Sequence, residues 1–154
     1  MIDLKEKGLA NAIKANGRFF LINTDFRVWM EFPERIRLLK DGDFSGYIGL
    51  FKKSVPFLND EVMESLGRFY HVPKEVPRSD GGNKEKVLDY DIDADYIYAA
   101  FMQTYGIDLL EEDMHWHKFK ALLSALPADT MISEIMKCRD YEGNSKDLEY
   151  KERM

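Results

Sequence analysis

The sequence predicts a mainly α fold, a single helical domain carrying a small amino-terminal β-hairpin. Three observations predict it. Apolar residues recur at spacings of three and four through most of the chain, the mark of helices that each bury one face. One Asn-Gly pair sits between two short runs near the amino terminus, where a tight hairpin turn needs residues that tolerate positive φ. Apolar residues make up 45% of the 154 residues, enough for one hydrophobic core but not for two independent ones.

The hairpin falls on IKANGRFFLI, residues 13–22, with Asn16-Gly17 as its turn. TDFRVWMEF follows, in which Thr24 caps a helix whose positions Phe26, Trp29 and Met30 share a face. Pro33 drives Phe32 out of the helical region, so PERIRLLK continues after a kink or short break. GDFSGYIGLFKKSV and NDEVMESLGRFYHV read as two more helices. The second opens on Asn59, with Asp60 and Glu61 in the first turn, where acids suit the helix dipole.

From residue 71 to 88 the periodicity lapses into prolines, glycines and charges, which predicts a linker between an amino-terminal half (1–70) and a carboxy-terminal helical half (89–140). DIDADYIYAAFMQTYG then reads as a helix with a buried stripe of Ile97, Phe101, Met102 and Tyr105, stopped by Gly106. HWHKFKALLSAL forms the next, with Trp116, Phe119, Leu122, Leu123 and Leu126 at helical spacing and Pro127 as its end. TMISEIMKCR, capped by Asp129 or Thr130, carries Ile132, Ile135 and Met136. Residues 141–154 are a polar tail. Phe26, Trp29, Phe101, Trp116, Phe119, Leu122, Leu126 and Ile135 form the expected core.

Net charge is −6, and the excess acid lies in the second half: residues 78–154 hold 17 Asp and Glu against 10 Lys and Arg. That balance speaks against a nucleic-acid partner, which calls for a basic stripe, and against an anionic membrane. Cys138 is the only cysteine, which excludes an internal disulfide and favours a reducing compartment. No apolar run reaches the roughly 20 residues of a membrane span.

His115 and His117 flank Trp116 two residues apart, which on a helix turns them about 200° from one another. Two partly exposed histidines beside a core tryptophan are expected there, with no metal between them. The acid run Asp89 to Asp95 alternates like a calcium loop but has Ala94 at its sixth position and Ala100 at its twelfth, so it reads as a solvated helix entry. No P-loop, dinucleotide fingerprint, nucleophile elbow or zinc-protease motif occurs. Glu111 and Glu112 read as surface. No catalytic residue, metal or cofactor is expected. Of the many aromatics, Tyr96, Tyr98 and Tyr105 are candidates for an exposed partner contact.

The hairpin with TDFRVWMEF, then DADYIYAAFMQTYGIDLL, then HWHKFKALLSALPADTMISEIMKCR together resemble the bacteriophage gene-product-fifteen family, over roughly residues 13–140. The most specific part is the run Trp116, Phe119, Leu122, Leu126-Pro127, Asp129-Thr130, Ile132, Ile135 and Arg139. The resemblance implies a helical protein encoded in a phage tail module, in the position of a tail-assembly chaperone. Its implied partners are the tape-measure protein or the major tail-tube protein, or further copies of itself, in the host bacterial cytoplasm. Arg27 and Arg139, polar among apolar neighbours, are expected to form structural salt bridges with acids of the second half. The alternatives are a virion connector or tail-completion component, and a small metal-dependent enzyme using His71, His115 or His117.

Overall fold

The computed structural model describes residues 2–71 and 88–139; most of the expected linker and the whole of the polar tail lie outside the described residues. The chain divides into two compact units. The first comprises Met1–Glu75 with Asp113–Ala121, and the second Val76–Glu112 with Leu122–Met154. A boundary drawn only at the linker would assign residues 113–121 to the wrong unit.

In the first unit, β1 (Ala12–Ala15) and β2 (Arg18–Leu21) pair antiparallel, with Ile13 opposite Phe20 and Lys14 opposite Phe19. Asn16 and Gly17 both take positive φ, 54° and 73°, as a two-residue turn matched to the strand twist requires. Ile13 and Ala15 face inward. The hairpin leans on α4 (Asp60–Tyr70): Ser65 Oγ donates to Lys14 O (2.8 Å) and Asn16 N–H to Glu61 Oε1 (2.9 Å).

α1 (Phe26–Met30) and α2 (Phe32–Leu39) break at Glu31, with Pro33 in the first turn of α2; the short break is as expected, but Phe32, expected outside the helical region, is itself the first residue of α2. The cap of α1 is Asp25 and not Thr24: its carboxylate accepts from Arg27 N–H at 2.8 Å. The Thr24 carbonyl instead accepts from Trp116 N–H (2.8 Å), while Phe26 N–H reaches Met114 O (2.9 Å). A second departure is α3, which covers only Ser45–Ile48. The expected helix cannot run on, because Lys52 N–H is committed to Leu21 O and Leu50 O to Asn23 N–H, extending the hairpin pairing. Gly46 and Gly49 let α3 press on Arg35 of α2; a Cβ at Gly46 would come within 2.9 Å of Arg35 Cγ. α4 starts as predicted, with Asn59 Oδ1 accepting from Val62 N–H at 2.9 Å.

α6 (Trp116–Ser124) begins in the first unit and ends in the second. Its opening turn supplies Trp116 and Phe119 to a core shared with Trp29, Ile22, Leu50, Val62 and Leu66, all fully buried. Phe26 stacks on Phe119 at 4.9 Å, and Trp29 and Phe32 lie 5.2 Å apart.

In the second unit, α5 (Ala94–Tyr105) ends at Gly106 in the left-handed region, φ 66°. Its buried face is Ile97, Ala100 and Phe101. Met102, expected in that stripe, is exposed, and Tyr105 is half-buried. Met102 lies five residues from Ile97, about 140° round the helix, so it leaves the face that Ile97 and Phe101 define. Leu122, Leu123 and Leu126 are half-buried, and Leu126 lies beyond the end of α6. Residues 131–139 are helical, with Thr130 at their start and Ile132 fully buried, while Ile135 and Met136 are half-buried.

Candidate functional site

The His-Trp-His triplet turns out to close helix ends. His115 stands just before α6 as its cap: Nδ1 accepts from His117 N–H (2.9 Å) and its carbonyl accepts from Phe119 N–H. A carbonyl can only accept, so the 2.6 Å bond from His115 Nε2 to Ala10 O puts the proton on Nε2. The next two side chains serve α4, whose last carbonyls have no partner within that helix. Trp116 Nε1 donates to Tyr70 O (3.0 Å) and His117 Nε2 to Phe69 O (2.9 Å). Tyr70 stacks on Trp116 at 5.6 Å, and Phe69 lies 4.3 Å from the His117 ring.

His117 is therefore buried, only 2% exposed, where partial exposure was expected. The two rings are neighbours, 4.9 Å apart, because His115 caps the helix and escapes the helical turn that would have separated them. Burial lowers the basicity of both, His117 to about 4, since each would have to carry charge away from water. Both ring nitrogens of His115 are engaged, so it could ligate an ion only by giving up its cap. Among the described residues no group of three His, Cys, Asp or Glu is placed to hold a metal ion.

Arg139 makes the expected ion pair with a second-half acid, and the partner is Asp93. Its guanidinium meets that carboxylate with both terminal nitrogens, 2.5 and 2.8 Å, and Asp89 N–H adds a bond at 3.0 Å. Asp93 is 1% exposed, and the Arg139 hydrogen bonds hold its carboxyl below the usual range. Arg27 pairs with Asp25 (3.0 Å), the carboxylate that caps its own helix.

The three tyrosines differ. Tyr96 is 44% exposed on α5. Tyr98 is half-buried, its hydroxyl made less acidic by burial and by the Asp108 carboxylate beside it. Tyr105 donates to Leu122 O at 2.5 Å and meets Phe101 edge-on. Around Tyr96 the second unit also exposes Ile92 (72%), Ala99 and Met102 on or next to α5. The first unit exposes Phe44, Ile48, Val55 and Phe57. Tyr47 of α3 donates to Pro56 O (2.7 Å) and so holds the 55–57 segment beside that helix. Sequence reasoning passed over Ile92, Ala99 and Phe57; α5 has one charged residue in twelve and yet must leave one face outward, but its composition alone does not say which residues that face holds.

The fold and these side chains define a mainly α protein in which His115, Trp116 and His117 serve helix ends and the buried Asp93 serves one ion pair. A family model described as bacteriophage Gp15 protein matches residues 6–154, and the chain belongs to that family. It is thus a structural or morphogenetic protein of a phage, of a family not known for enzymatic activity. Neither the curated proteins nor the solved structures contain a match to the chain. No helix among the described residues is long and apolar enough to cross a membrane.

Proposed function

We propose that this protein is a non-catalytic tail-assembly chaperone that binds the tape-measure protein, or tail-tube subunits, while the phage tail is built in the host cytoplasm. The observation that supports this reading is the outward side of α5, where Tyr96, Ala99 and Met102 are exposed at spacings of three with Asp95 and Gln103 among them. Apolar residues repeated along one helix suit a partner better than singly scattered ones do. A chaperone must cover apolar stripes on its client and later release them. That calls for modest contacts repeated along a long partner rather than one tight interface.

Co-expression with the tape-measure protein, followed by size-exclusion chromatography with light scattering, tests this. A soluble complex with several copies per tape measure is the expected result. If the tape measure stays insoluble and this chain elutes alone, while purified virions contain it, the protein is a connector or tail-completion component instead.

A further inference from the structure

The two units carry opposite charge. The first holds 14 Lys and Arg against 12 Asp and Glu, and the second holds 8 against 16. Each also exposes a small apolar surface flanked by its own sign of charge. In the first unit this is the outward face of the hairpin. Residues opposite one another in an antiparallel pair share a face, so Lys14 stands beside Phe19 and Ala12 beside Leu21, while Ile13 and Ala15 turn inward. Past the end of β2, Ile22 bridges Phe51, and Lys52 N–H donates to Leu21 O at 3.0 Å. That register sets the exposed Lys52 across from Leu21 on the outward side. Lys14 and Lys52 thus flank two exposed apolar side chains, Leu21 and Phe19, the latter 74% exposed with the Lys14 ammonium 5.7 Å from its ring centre. The solvent face of an antiparallel pair is ordinarily polar, and here it is apolar between two cations.

The second unit presents the complement on the turn after α5. Leu110 is 76% exposed and is followed by the exposed Glu111 and Glu112. The turn is preformed, because Asp108 Oδ1 accepts from Leu110 N–H (3.0 Å) and Asp108 O from Glu111 and Glu112 N–H (3.1 and 2.9 Å). Hairpin against hairpin, or turn against turn, would oppose like charges. Hairpin against turn joins opposite charges and covers Leu110 with Phe19 and Leu21.

We propose that copies of this chain associate through this contact, the hairpin face of one taking the Leu110 turn of another. Reciprocal contacts close a dimer and successive ones build a ring or an open chain, with the same pair of surfaces in each case. A contact this small is transient, with a Kd on the order of 0.1 mM. The inference stands on the two surfaces and does not require the tail-assembly reading.

Sedimentation velocity of the full chain, over a dilution series reaching about 1 mM, tests it. The mean mass should rise with concentration, and the rise should shrink as salt increases. Lys14→Glu combined with Lys52→Glu should weaken association by about tenfold or more, and Leu110→Glu should do the same. Far-UV circular dichroism of both variants should match the parent, since every substituted side chain is exposed. The decisive sample is their mixture: the Leu110→Glu chain keeps the lysine-flanked hairpin and the other chain keeps the turn, so the two should associate with each other where neither does alone. A parent that stays monomeric throughout, association indifferent to salt or to either variant, or a mixture that stays monomeric overturns the proposal. Co-expression with the tape-measure protein separates the two readings. Self-association with the tape measure left insoluble keeps this contact and removes the chaperone. A soluble tape-measure complex formed by a chain that never self-associates keeps the chaperone and removes this contact.

Discussion

Lowering the pH from 7.5 to 5 should weaken the first unit by about 2 kcal/mol through His117 alone. The side chain is buried, donates its one Nε2–H to Phe69 O and has its pKa lowered to about 4 from an ordinary value of 6.5. A depressed histidine pKa means that the unfolded chain holds more protons between those two values, so stability rises with pH through that window. It is fully present above about 6.5 and falls by about 1.4 kcal/mol per unit below it, reaching roughly 3 kcal/mol at pH 4. His115, also lowered by burial, adds in the same direction. Both tryptophans of the chain, Trp29 and Trp116, lie in the first unit, so their fluorescence in urea reports on that unit. The midpoint should drop by roughly 1 to 2 M urea between the two pH values. In His117→Gln the starting midpoint falls, because packing is lost, but the drop with pH shrinks to what His115 supplies. Equal midpoints at both pH values, or the same drop in His117→Gln, would refute the reasoning.

Truncating Arg139 to alanine leaves the Asp93 carboxylate buried beside only the Asp89 amide, and should cost about 2 to 3 kcal/mol after allowing for the partial exposure of the arginine. A thermal melt followed by circular dichroism, with Arg139→Lys intermediate, checks this. Gly46→Ala puts a methyl group against Arg35 where its α carbon is 3.2 Å away, and should destabilise by about 1 to 3 kcal/mol in the tryptophan-monitored urea titration. Asn59→Ala, which removes the cap of α4, should cost about 1 kcal/mol by the same measurement.

The local rules read well from sequence wherever one residue type decides the backbone. Asn16-Gly17 dictates its turn through positive φ, Asn59 dictates the start of α4, Pro33 the break before α2, and Gly106 the end of α5. Reading failed where a distant segment competes for the same backbone groups. Thr24 loses the cap of α1 because Trp116 N–H claims its carbonyl. α3 stops at Ile48 because the next residues pair with the end of the hairpin. Met102 fails as core because spacing alone does not say where a helical face ends.

Of the candidate surface, Tyr96 was named from the sequence and Ala99 was not, since an alanine on a helix carries no signal until its neighbours' exposure is known. The sequence by itself determined a mainly α chain with one hairpin, the acidic second half and membership of a phage family, all properties written in composition, periodicity and ordered motifs. Only the tertiary structure decided that His115, Trp116 and His117 close helix ends, that Asp93 is the acid Arg139 meets, and that one face of α5 stays outward. Each depends on which chain segments, 46 to 105 residues apart, share a hydrogen bond or a buried surface, and no local pattern encodes that pairing.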